Sequence, residues 1–232
     1  AEFCCGFVRM GSKLPECRFA GRQRVAFEGD ARDVLQLQAS LALAVGQQLG
    51  RALTPAEEQR LRSPDTTSPE AQDAFLRGWT ALELQTIDGA REAVRQFETA
   101  VRLDPSYARA HAVLSHAYWY LGVGLSALPR AETEVRARGA AERARQLDPN
   151  LPRAHAALAQ VHFYFDWDWR GAETEFEAAI RLNQSDADAH QQYGWFLAAL
   201  GRFEPALDHM RRARELDPLS YTRRSPVAAV LY

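Results

Sequence analysis

Four stretches of this chain spell one pattern: AVRLDPSYARAHAVL (100–114), ARQLDPNLPRAHAAL (144–158), AIRLNQSDADAHQQY (179–193) and ARELDPLSYTRRSPV (213–227). Each runs from an Ala to a Leu three residues on, then Asp or Asn, then Pro or Gln, and then a new helical pattern. His111, His155 and His190 hold the same place in three of them, 44 and 35 residues apart; Leu182 and Leu216 are 34 apart. A two-helix unit of this length cannot bury its apolar face alone, so consecutive units must stack. That excludes most globular layouts and leaves an array of helix pairs.

Within each unit a small residue on the first helix faces a ladder on the second. The sets are Gly78 with Ala93, Phe97 and Ala100; Ser115 with Ala137, Ala141 and Ala144; Ala159 with Ala172, Phe176 and Ala179; and Gly194 with Phe203, Ala206, Met210 and Ala213. Small residues let two backbones approach, and a ring or thioether fills what remains. The second unit carries about ten extra residues, including GVGLSALPR, a Gly/Pro-rich breaker expected as a long exposed turn.

This pattern resembles the tetratricopeptide-repeat (TPR) family from about Pro69 to the end of the chain. The resemblance implies an all-α, right-handed TPR superhelix of helix-turn-helix repeats. It covers residues 69–232 as about four repeats and a partial fifth. Residues 30–68 read as N-terminal helices and a linker. Asp30 caps a helix over 31–51 with a stripe of Val34, Leu37, Leu41, Val45 and Leu49, and Thr54, Pro55 and Glu57 make a capping box. Ser68-Pro69 opens the first repeat helix. Residues 1–29 read as irregular or vector-derived; Lys13, the only lysine, and Cys4, Cys5 and Cys17 all fall there. The lone helix expected at Tyr221–Tyr232 marks a truncated array or a cap.

The wider context, DARDVLQLQASLALAVGQQLGRALTPAEEQRL with AFLRGW, DWDWRGAETEFEAAIRLN and YGWFLAALGRFEPAL, resembles a bacterial family of multidomain regulators. In these a TolB-like region precedes TPRs behind a winged-helix or adenylate-cyclase output domain. No output domain accompanies the stretch here, so neither DNA binding nor cyclase activity carries over.

A formal charge of −2 and a pI near 6.4 give no net positive field for nucleic acid or anionic membrane. No apolar run approaches the roughly 18 residues that span a bilayer. Three cysteines without a CxxC suit a reduced, cytoplasmic chain, and no cofactor is implied.

FYFDWDWRG (163–171) concentrates aromatic residues. Trp169 takes the slot of Phe203 and reads as a repeat-core ring, Asp168 as a helix cap, and Trp167, whose counterpart is Gly201, as a surplus ring. Family geometry implies that slots 2, 5, 9 and 12 of each first helix line a concave groove. These are Arg109, Ala112, His116 and Trp119; Arg153, Ala156, Gln160 and Phe163; Asp188, Gln191, Trp195 and Ala198. Arginines, amides and rings together suit a protein or peptide partner; the competing reading is that the rings only pack within the stack. The Lys/Asn/Arg clamp of chaperone-tail-binding members is not expected, since Arg109 and Arg153 stand without a matching Asn or Lys. A second reading is homo-oligomerisation through the open terminal helix.

The His111/His155/His190 ladder invites a metal. Successive repeats lie roughly 10 Å apart, too far to share a ~2 Å ligand bond. Packing, with one ring nitrogen bonded locally, is expected instead. Ser126 in GLSAL with His116 gives a weak esterase-like alternative, lacking the closing Gly and the preceding strand of a nucleophile elbow. The array reading predicts a helical circular-dichroism spectrum without appreciable β-sheet and an elongated particle by small-angle scattering; a compact β-containing globule would overturn it.

Overall fold

Proline 69 opens the first helix, as the Ser68-Pro69 step predicts, with the Ser68 N–H donating to Thr66 Oγ1 at 3.1 Å. The computed structural model describes residues 65–218, plus two two-residue strands, β1 (Cys17–Arg18) and β2 (Arg24–Val25), paired antiparallel. The expected helix at 31–51, the capping box at 54–57 and the terminal helix at 221–232 lie outside the described residues. Two compact units divide the chain, Ala1–Pro69 and Glu70–Tyr232. Described by itself, the second is all-α over its described residues, 70–218.

Eight helices are described: α1 (Pro69–Leu82), α2 (Ile87–Leu103), α3 (Ala108–Trp119), α4 (Arg130–Leu147), α5 (Pro152–Val161), α6 (Trp169–Leu182), α7 (Ala187–Ala199) and α8 (Phe203–Leu216). They form consecutive pairs, each with a first helix A and a second helix B. α3 touches α5 and α5 touches α7, so the A helices make one layer.

The Leu-Asp/Asn step now has its physical reason. Asp104, Asp148 and Asn183 follow a helix B with extended backbone, and each N–H still closes the last helical turn on Ala100, Ala144 or Ala179. Their side-chain oxygens then accept from the N–H two residues on, at 2.9, 2.9 and 3.0 Å. The short polar side chain supplies the turn that the backbone lacks. The opposite, A-to-B turn has its own rule: each contains one residue in the left-handed region, Gln85 (φ 52°), Ser126 (53°), Trp167 (57°) and Gly201 (74°).

The small-residue slots are the contacts that set helix spacing. A Cβ on Gly78 would meet the Phe97 ring at 2.7 Å, and one on Gly194 would meet Met210 Cγ at 2.8 Å and the Ala206 carbonyl at 3.1 Å. Ala93, Ala100, Ala141, Ala144, Ala172, Ala179 and Ala206 are fully buried.

In the second pair the insertion departs from the expected exposed turn. Tyr120–Gly124 continues α3 as a π-helical turn, with Leu121 buried. Val123, Leu125, Ala127 and Leu128 then pack, partly buried, against the core. Apolar residues at this density fold back rather than stay in water. Gly122 adds a closer approach than Ser115 suggests: a Cβ there would lie 1.9 Å from Thr133 Oγ1 and 2.7 Å from Thr133 Cβ. A second π-turn, His162–Asp166, ends α5.

Asp168 caps α6 as expected, its Oδ1 accepting from Gly171 N–H at 2.9 Å. Trp169 is corrected: it is 39% exposed, and its counterpart Phe203 is 55% exposed. As the first residue of helix B it touches Phe163 (5.6 Å between centroids) and the exposed Trp167 (5.5 Å).

Two glycines separate packing from propensity. Gly122→Ala should lose about 1–3 kcal/mol by overpacking against Thr133. Gly139→Ala, on α4 with nothing within 4 Å of its added methyl, should gain up to about 1 kcal/mol. Urea unfolding of the two variants checks both signs.

Candidate functional site

The residues expected along the groove divide three ways. His116 and Trp119 (α3), Arg153 (α5), and Asp188, Gln191 and Trp195 (α7) line one cleft of about 240 Å³. Gln160 and Phe163 are buried and are not among its lining residues. Gln160 is 3% exposed, its Oε1 accepting from His116 Nδ1 at 3.1 Å. Phe163 is buried, its ring edge-on to Phe196 at 5.3 Å. Arg109 lies elsewhere, its guanidinium 5.6 Å from the Phe75 ring centroid. The slot-5 alanines Ala112 and Ala156 are buried at seams, with Ala144 and Ala154, and with Ala179 and Ala189.

Trp79, Leu82, Glu83 and Gln85 from the first pair complete the lining, with Tyr120 and Gln192. Trp79 and Leu82 follow Gly78 by one and four residues, so they are slots 9 and 12 of the first unit; the slot rule extended to that unit finds them. Tyr120, which opens the π-turn, has no such signal.

Arg153 organises the cleft. Its Nη2 lies 2.6 Å from Asp188 Oδ2 on α7, and its guanidinium carbon lies 5.2 Å from the Trp79 ring centroid on α1. One side chain thus joins the first, third and fourth pairs. Burial works against its charge, but Asp188 and Asp186 outweigh that and raise its pKa. His116 stacks on Trp119 at 5.3 Å between centroids. Burial pushes its imidazole below the ordinary value, with the Gln160 bond opposing. The Trp119 indole N–H and Gln192 Oε1 are both buried, and neither finds a hydrogen-bond partner among the described residues.

The histidine ladder does what local packing predicts. Nε2 of His111, His155 and His190 each lies within bonding distance of the carbonyl six residues earlier, on Pro105 (3.2 Å), Pro149 (2.8 Å) and Gln184 (3.2 Å). A carbonyl only accepts, so Nε2 carries the proton in all three. The ladder ties each new helix A to the turn behind it. The other nitrogen then differs. His155 Nδ1 meets Glu175 Oε2 at 2.6 Å, and His190 Nδ1 accepts from His209 Nδ1 at 2.9 Å. Ser126 is exposed in its turn, and His116 Nδ1 donates to an amide rather than a carboxylate, an arrangement unlike a charge-stabilised catalytic dyad.

A thermophilic TPR protein of Thermus thermophilus superposes with a TM-score of 0.58 at 19% identity, over 87% of this chain and 99% of that one. The fold is that of a TPR protein. The first TPR of Spaghetti (RPAP3), bound to the HSP90 peptide SRMEEVD, aligns at TM-score 0.42 and 20% identity, over 53% of this chain and 90% of that one. YrrB, a TPR protein with an unusual peptide-binding site, aligns at 0.40 and 20%, over 72% and 76%. No protein-family model matches, and no curated sequence is significantly similar. Among the described residues no helix is long and apolar enough to cross a membrane, and no three His, Cys, Asp or Glu side chains converge as metal ligands.

The histidines of this TPR stack should titrate in opposite directions. The Glu175 bond raises His155 despite its burial. A raised histidine stabilises fully below its unfolded value, about 6.5, and loses that contribution as pH climbs through its folded value. Burial alone would raise Glu175, but His155 and Arg145 bring it down, so its contribution is lost as pH falls. His116 is lowered, so acidification below about pH 6.5 favours the unfolded chain there. Imidazole Cε1–H shifts followed by NMR should place the His155 midpoint above that value and the His116 midpoint below it.

Proposed function

We propose that this chain is a protein–protein interaction scaffold that binds a peptide segment of a partner in the cleft formed by α1, α3, α5 and α7. The observation that carries this is the cleft's lining. Trp79, Trp119, Tyr120 and Trp195 bring four aromatic side chains from three separate pairs to one concavity, and Trp195 remains 38% exposed. Rings held in place by the scaffold offer apolar area to an incoming chain at little entropic cost. Gln85, an exposed lining residue, supplies an amide donor and acceptor to a backbone. A volume of about 240 Å³ falls below the roughly 300–1,000 Å³ of small-molecule sites, which favours anchoring side chains of a larger partner.

The sequence resemblance to multidomain bacterial regulators supports placing this scaffold within such a protein, where it would recruit or sense a partner. The hydrogen bonds of His116 offer an esterase reading no support.

The decisive variant is Trp195→Ala. Peptides selected on the wild-type chain from a displayed random library should bind it at least about tenfold more weakly, the loss typical of an aromatic anchor, with helicity by circular dichroism unchanged. Equal affinity for both proteins would remove the cleft from consideration.

A further inference from the structure

The third and fourth pairs are joined by histidines with opposite partners. In the third pair His155 Nδ1 on α5 meets Glu175 Oε2 on α6 at 2.6 Å, and Arg145 Nη1 on α4 reaches the other oxygen of that carboxylate at 2.5 Å. A proton added to His155 completes an ion pair there. The residue 34 positions after Glu175 is His209. In the fourth pair a second imidazole therefore replaces the carboxylate, and His190 Nδ1 on α7 lies 2.9 Å from His209 Nδ1 on α8.

The surroundings fix how many protons this bond can hold. His190 Nε2 faces the Gln184 carbonyl at 3.2 Å and so carries a proton. Its Nδ1 is then bare and accepts from the His209 Nδ1–H, which leaves His209 Nε2 bare in turn. One further proton can enter at His209 Nε2 with the bond intact. A second has only His190 Nδ1 to bind, where it would set two N–H groups against each other at 2.9 Å. The joined pair thus takes up one proton, whereas two separated imidazoles take up two.

No neighbouring carboxylate relieves that conflict. The rings line a concavity of about 540 Å³ with Glu177 and Arg181 of α6, Tyr193 of α7 and Arg212 of α8, and α5 contributes no lining residue. Asp186 caps α7, its Oδ1 accepting from the N–H groups of Asp188 and Ala189. Asp208 lies 3.4 Å from Arg211. Neither aspartate, nor Glu177, bonds to either ring, while Tyr193 meets His209 edge-on at 4.7 Å between centroids. Burial holds both imidazoles below their ordinary value. The Gln184 carbonyl and Asp186 oppose this at His190 and Arg212 adds to it; at His209 the His190 ring adds to it and Asp208 opposes it. Histidines lowered in this way stabilise fully above the unfolded value, about 6.5, and lose that contribution as pH falls below it.

We propose that His190 and His209 make the fourth pair an acid-opening joint, at which α8 separates from α7 when both rings are protonated while the third pair stays closed. The device is the missing carboxylate: the same joint one repeat earlier has it and is tightened by acid.

Amide hydrogen exchange of the full chain, expressed as protection relative to the unstructured rate at each pH, tests this. Between pH 7.5 and 5.5 the amides of α8 should lose protection by about tenfold or more, the ratio set by one extra proton on the opened joint over about one pH unit below 6.5. His209→Glu, which copies the third pair, should hold α8 protection to within about twofold over the same range. Unchanged protection of α8 in the wild type, a loss as steep in His209→Glu, or a loss shared equally by α6 would each overturn the proposal. Imidazole ¹⁵N shifts of the wild type at pH 7.5 should show the Nε2–H tautomer for His190 and the Nδ1–H tautomer for His209. Nε2–H on both rings would overturn the proposal even where His209→Glu fails to fold.

Discussion

The distance between the two helices of a pair is set where a residue with little or no side chain meets a ring, a thioether or a methyl group. At Gly78 the Phe97 ring, and at Gly194 the Met210 side chain, occupy the space a Cβ would need. Close packing of this kind leaves no slack for a methyl group. It also fixes where every outward residue of helix A points, because the inner face is committed to helix B. The concavity and its rings follow from that commitment.

The turns impose direction on the stack. An Asx side chain closes each described B-to-A turn, and a slot-4 histidine anchors the following helix A to the carbonyl six residues behind. A left-handed residue marks every described A-to-B turn. Glycine carries no penalty there, whereas Trp167 does, and its ring remains 63% exposed. Side-chain and backbone bonds of these kinds hold successive pairs in register, so residues 35 or more positions apart, such as Arg153 and Asp188, come within bonding distance.

Much of this was legible because it is local. The Ala-Leu-Asp step, the Asp168 cap, the Pro69 start and the small-residue slots each depend on near neighbours, and each is found where the pattern places it. What failed depended on burial from afar. GVGLSALPR has the composition of a loop, yet Leu121 just before it is buried, and Leu125 and Leu128 within it pack against helices that the segment itself does not encode. Trp169 has the spacing of a core ring, but as the first residue of helix B it stays partly in solvent, as Phe203 does in the next pair. Phe163 occupies a groove slot but is buried against Phe196 and Trp169 and does not line the cleft, a packing that residues 33 positions away complete.

Propensity, turn chemistry and a period near 34 residues are properties of adjacent segments, and they suffice to specify the helix pairs and their stacking. That the first pair closes the cleft with Trp79 and Glu83, and that Arg153 is paired with Asp188 within it, emerges only once the pairs are folded together. Both depend on the cumulative rotation of one pair upon the next, a quantity that no single repeat contains.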